Sequence, residues 1–151
     1  MRQIEIPALN FSPWYTWDDR RNVPQGNMPG IYLLSISHKN LAGCAADWSD
    51  VSYIGMTNSQ QGLLGRWQQF FNSIRGKNGH SGGNTVFRAL GHYDSWEQRL
   101  FVAAMPIECN VTGPTDDDLI KMGWVAYLEY EAFAECCRHS QKRCKPEYNT
   151  R

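Results

Sequence analysis

No Asp or Glu occurs between Val51 and Tyr93, yet Arg66, Arg75, Lys77, Arg88, His80 and His92 all fall inside that stretch. Cationic side chains interleaved with Gly, Asn and Ser, which add further hydrogen-bond donors, are suited to holding phosphate oxygens. The whole chain balances 15 basic against 15 acidic residues, so no global field draws it onto polyanions and any nucleic-acid contact must come from such clustering. The acids lie later, at Glu97, in Asp116, Asp117 and Asp118, and at Glu129, Glu131 and Glu135, before a second basic cluster at Arg138, Lys142, Arg143 and Lys145. A competing constellation, Cys136, Cys137, His139 and Cys144, contains zinc donors. Adjacent cysteines on a helix point about 100° apart, however, and this spacing forms no Cys-x-x-Cys knuckle. Five cysteines without regular spacing read as thiols of a reducing cytosol.

The elements that must position these groups are legible in outline. At 151 residues with 42% hydrophobic content, the chain has the length and core of one domain. Polar and charged residues interrupt the first segment where a signal peptide needs an apolar run, and no stretch is long enough for a membrane helix. The expected location is cytoplasmic, with no membrane partner. Pro24, Gly26 and Pro29 punctuate the chain after the aromatic segment Phe11 to Trp17, so residues 1–29 read as an N-terminal extension and 30–151 as the main domain. Gly30 to Ser37 is almost continuously apolar, as in a strand buried on both faces, with Val51 to Gly55 as its neighbour and His38 to Asp50 as a protruding loop. Leu63, Leu64, Trp67, Phe70, Phe71 and Ile74 recur at helical spacing, with Arg66 beside the stripe. Asn84 is a candidate cap for a shorter helix to Leu90, and Arg99 to Ala104 reads as a third strand. Thr115 before three Asp signals a long helix that carries Leu128 and Glu129. The fold class is therefore α/β of the α+β type, a small three-stranded antiparallel sheet flanked by helices.

The tripeptides Gly30-Ile31-Tyr32 and Tyr53-Ile54-Gly55 sit on the first two strands, and Arg66 follows on the next helix. Either tripeptide alone is weak, but their order, the strand-strand-helix context and the Arg together resemble the GIY-YIG nuclease family. The resemblance extends to Leu128-Glu129 and to Pro146-Glu147-Tyr148-Asn149. It implies a divalent-metal-dependent DNA endonuclease, compact and restriction-like or phage-like, with Tyr32, Tyr53, Arg66, His80, Glu129 and Asn149 in the catalytic set. Glu129 would hold one Mg²⁺ or Mn²⁺ per site, for which a single carboxylate suffices when waters and phosphate complete the shell. Arg66 would clamp the scissile phosphate, and a Tyr hydroxyl would orient or deprotonate the water, its pKa depressed by Arg66 and the metal. Arg75, Lys77 and Arg88 would share backbone contacts to DNA.

Three departures qualify the carry-over. Phe70 stands where some family members have a His one turn after the Arg, and is expected in the core. Met56 follows the second motif where Lys or a small polar residue is frequent, and the link between Tyr32 and Tyr53 is long. The identity of the base stays open, as does the alternative of a catalytically silent or partner-activated nucleic-acid-binding module. A double-strand cut calls for two protomers about a two-fold axis. Phe11 to Trp17 and His38 to Asp50, outside the minimal fold, are the segments nominated for homodimer contacts or DNA recognition.

Overall fold

The computed structural model describes residues 5–77, 79–140 and 145–150. Its centre is a four-stranded antiparallel sheet built from β1 (Tyr15–Thr16), β2 (Gly30–Ile36), β3 (Tyr53–Thr57) and β4 (Leu100–Pro106), in the order β1-β4-β2-β3. Around it lie α1 (Gly62–Ile74), α2 (Ser81–Leu90) and α3 (Asp116–His139). The α+β class stands, and the strand count is corrected from three to four. The extra strand comes from the segment before Gly30, where Tyr15 and Thr16 pair with Val102 and Phe101.

The near-continuous apolar run of β2 is explained by helices on both sides. Successive side chains alternate across a strand, so Tyr32 and Leu34 pack with Trp67 and Phe70 of α1. Leu33 faces the opposite layer with Ala132 of α3, and Ile31 joins Val125 and Leu128 there. The N-terminal aromatic segment belongs to the same core rather than forming an exposed patch. Trp14 is buried with the α3 layer and Trp17 with the α1 layer, which corrects the nomination of Phe11 to Trp17 as a docking surface. The His38 to Asp50 loop also folds back instead of protruding freely. Leu41 is buried, Gly43 N–H donates to the Trp14 carbonyl at 2.8 Å, and Trp14 N–H donates to the Cys44 carbonyl at 2.9 Å.

Local signals account for the helices. α3 begins in a full capping box, with Thr115 accepting from Asp118 N–H while the Asp118 carboxylate accepts from Thr115 N–H, which satisfies donors that the first turn leaves free. It runs unbroken through Gly123 to His139. The start of α2 differs from expectation: its N-cap is His80, not Asn84. Among the described residues no helix is long and apolar enough to cross a membrane. Cys44 and Cys109 are free thiols, whereas Cys137 is disulfide-bonded, which corrects the expectation of thiols throughout. Cys144, Lys142 and Arg143 lie outside the described residues.

The register explains the glycine that ends the second tripeptide. Tyr32 of β2 lies opposite Gly55 of β3, and a Cβ at Gly55 would overlap the Tyr32 ring. Gly55→Ala is therefore expected to cost about 1–3 kcal/mol, the usual range for overpacking a filled core. The denaturation midpoint measures it, and an unchanged midpoint would mean that the Tyr32 ring has room to give way.

Candidate active site

The tripeptide tyrosines are neighbours in space because β2 and β3 pair with Tyr32 and Tyr53 on one face of the sheet. Their ring centroids lie 6.2 Å apart. Trp67 and Phe70 of α1 pack against the two rings, Trp67 edge-on to Tyr32 at 6.0 Å and Phe70 tilted to Tyr53 at 6.3 Å. Phe70 is thus in the core, as expected. His80 closes the cluster, its ring 5.7 Å from Tyr53 and 5.4 Å from Phe70.

His80 does three jobs with one side chain and its own amide. Its backbone N–H donates to Ser73 Oγ at 2.8 Å, which ties the start of α2 to the end of α1. Its Nδ1 accepts from Gly83 N–H at 3.1 Å, capping α2. Its Nε2 lies 3.1 Å from the Tyr32 hydroxyl. Burial, and secondarily the nearby Arg66 charge, lower the His80 pKa to about 3, so the ring is neutral and carries one proton. Since Nδ1 is an acceptor, that proton sits on Nε2 and is donated to Tyr32 Oη. The Tyr32 hydroxyl proton must then point away from His80.

Tyr32 itself is fully buried. Burial raises its pKa well above the ordinary phenol value, and Tyr53 adds to the rise, while the Arg66 guanidinium opposes it. The expected depression of this tyrosine by Arg66 is therefore corrected for the protein alone: the guanidinium pulls in that direction, but desolvation outweighs it. Arg66 is half-buried, and its Nη1 donates to Gln69 Oε1 at 2.8 Å. Glu129 of α3 also acts on Tyr32 electrostatically.

The rest of the set gathers at the outer edge of β3. Tyr53, Glu129 and Asn149 line one cavity of about 350 Å³ together with Ser81, Gly82 and Tyr130. The sheet ends at β3, so this cavity lies where the layer of α2 and the layer of α3 meet round an edge strand. Asn149 is engaged in holding that edge. Its Oδ1 accepts from Ile54 N–H and its Nδ2 donates to the Ile54 carbonyl, both at 2.9 Å. One residue earlier, Tyr148 N–H donates to the Ser52 carbonyl at 3.0 Å. An edge strand needs such partners for its unpaired backbone groups.

The basic residues nominated for substrate contacts are dispersed. Arg75 lies with its guanidinium 4.0 Å from the Phe71 ring centroid and donates to Asn72 Oδ1, whereas Lys77 and Arg88 are exposed. Among the described residues no group of three or more His, Cys, Asp or Glu converges. A cation in the cavity would therefore rely on Glu129 alone among the carboxylates that line it, a donor set that fits a hard, largely hydrated ion such as Mg²⁺ rather than zinc.

Sequence reasoning missed Ser73, Gln69 and the glycine pair after His80. A Cβ on Gly82 would overlap the Tyr53 ring, and one on Gly83 would crowd the Ser73 side chain. The signal was present in His80-Ser81-Gly82-Gly83, where a glycine pair directly after a polar residue marks close backbone approach and not only a mobile loop. Comparison with protein-family models, curated proteins and solved structures finds no match for this chain.

Two expected outcomes follow from this geometry. His80 titrates at about 3 in the folded chain and at roughly 6.5 unfolded, so the unfolded chain binds more protons between those values. The His80 contribution to stability is present above about pH 6.5 and is lost as pH falls toward 3. His80→Asn retains a capping acceptor but does not titrate, so its unfolding midpoint should fall less steeply across that window. Equal slopes for both proteins would disprove this assignment. Asn149→Ala removes both bonds to Ile54 and should cost about 1–3 kcal/mol. Hydrogen exchange should quicken at the Ile54 amide before it does at β2.

Proposed function

We propose that the chain is a divalent-metal-dependent DNA endonuclease of the GIY-YIG type. The observation that carries this reading is convergence: Tyr53, Glu129 and Asn149, contributed by β3, α3 and the C-terminal segment, line one cavity, with Tyr32 and His80 packed beside Tyr53 and Arg66 acting on Tyr32. Phosphodiester hydrolysis requires an oriented water and positive charge where the transition state becomes negative.

Each side chain then has a task set by its surroundings. Tyr32, kept as a neutral phenol by burial, accepts from His80 and shares a side-chain hydrogen bond with Arg66, so it would orient water or a phosphate oxygen together with that guanidinium. His80 is a positioning residue, since its Nδ1 is occupied by the Gly83 amide and its Nε2 proton by Tyr32. Asn149 is likewise a positioning residue that fixes β3. Arg66, held by Gln69, supplies a planar guanidinium suited to a phosphate. Glu129 would hold a Mg²⁺ or Mn²⁺ ion, which when bound supplies Lewis-acid stabilisation of the departing oxygen. Lys77 and Arg88 would add sequence-independent backbone contacts.

Incubating purified protein with plasmid in Mg²⁺ and in chelator tests the reading. Cleavage is expected only with the metal, and Glu129→Ala should abolish it while leaving the unfolding midpoint near that of the parent. Arg66→Lys is expected to slow single-turnover cleavage at least ~100-fold, as removal of an aligned transition-state donor does, with little loss of DNA binding. Protein that binds DNA but never cuts it would favour the silent docking module instead. Full activity in chelator would refute the mechanism.

A further inference from the structure

Four aromatic rings line the cavity that holds Glu129, and they differ in what they meet. Tyr53 and Tyr148 are buried, Phe133 is half-buried, and Tyr130 is 73% exposed. Glu129, Phe133 and Tyr130 come from one strip of α3, since at ~100° per residue Phe133 falls about 40° and Tyr130 about 100° round the helix from Glu129. The strip thus sets an exposed ring at the mouth of the cavity, close to the carboxylate. The rings deeper in the site pack on one another, Tyr53 on Phe70 and Tyr32 on Trp67. None of the described rings packs on Tyr130. The cation among the described lining residues is Lys145, which is exposed, whereas Arg75, Lys77 and Arg88 do not line the cavity.

These surroundings discriminate between forms of DNA. A duplex presents rows of phosphates, which a groove of several cations meets, and it keeps the faces of its bases covered by their neighbours. An unpaired nucleotide presents one phosphate and a bare base face, which stacks on aromatic side chains. The cavity, of about 350 Å³, has the size of small-ligand sites, ~300–1,000 Å³, and offers rings and a single ammonium. We propose that it is a subsite for an unpaired nucleotide, with Tyr130 stacking on the base and Lys145 meeting the phosphate. The inference rests on the nuclease reading and names its substrate class: DNA with a single-stranded or unstacked nucleotide beside the cut. Negatively supercoiled plasmid, which opens locally, supplies such nucleotides.

Binding of the full chain to a labelled single-stranded DNA oligonucleotide and to its perfect duplex, followed by fluorescence anisotropy in chelator, tests the subsite apart from cleavage. The strand should bind at least ~5-fold more tightly than the duplex, as one base–aromatic contact supplies. Tyr130→Ala should remove that preference with unchanged circular dichroism, whereas Tyr130→Phe, which keeps the ring, should retain it. Lys145→Gln should weaken strand binding and lower the slope of log affinity against log salt by about 0.7, the share of one phosphate contact. A parent that binds duplex as tightly as strand, a Tyr130→Ala protein with the parent's preference, or a Tyr130→Phe protein as weak as Tyr130→Ala would overturn the subsite. A parent that prefers the strand through Tyr130 yet cuts no DNA retains the subsite and loses the nuclease. One that cuts plasmid but shows no preference keeps the nuclease and loses the subsite.

Discussion

One neutral imidazole, buried where β2, β3, α1 and α2 meet, sets the constraint on which the candidate site depends. A polar ring in that position must have every hydrogen-bonding group satisfied, and His80 meets the requirement by capping α2 with one nitrogen and donating to Tyr32 with the other. The choice of tautomer is thereby made by the helix rather than by solvent. It passes to Tyr32, whose hydroxyl is held in the core by His80 and lies close enough to Arg66 to feel its charge. Ser73 completes the arrangement by accepting the His80 amide, so the junction of α1 and α2 and the orientation of the tyrosine are one hydrogen-bonded unit.

The second constraint is topological. Because β3 is the edge of the sheet, its outer backbone groups need partners, and Asn149 supplies them with a single amide. The same edge is where side chains from opposite layers can share a cavity, which is how Glu129 of α3 comes near Tyr53 although α3 covers the other face. An interior strand, flanked by strands on both sides, would have kept the two layers apart. The glycines at 55, 82 and 83 are the steric counterpart of this arrangement, since side chains there would overlap or crowd Tyr32, Tyr53 and Ser73.

Much of this was legible from residue order. The near-continuous apolar run of β2 implied burial on both faces, the spacing of Leu63 to Ile74 defined α1, and Thr115 with three Asp marked the start of α3, because each is a short-range pattern set by backbone geometry. The N-terminal aromatic segment was less legible. Trp14 and Trp17 give no periodic signal over so short a span, and only the exposed edge of β4, pairing with Tyr15 and Thr16, shows why they are core residues. The cap of α2 was misread for a related reason: Asn84 has the commoner capping side chain, but His80 has Tyr32 and Ser73 to satisfy.

The sequence by itself determined the α+β class, the main strands and helices, and where acidic and basic side chains fall along them, since these follow from composition and local periodicity. Tertiary structure alone decided how those groups behave. Burial raised the Tyr32 pKa against the pull of Arg66, an outcome of desolvation that depends on every layer packed above the ring. The protonation of His80, the use of Asn149 as a strand partner and the exposure of Tyr130 at the cavity are likewise properties of neighbours distant in the chain, and no local pattern of residues encodes them.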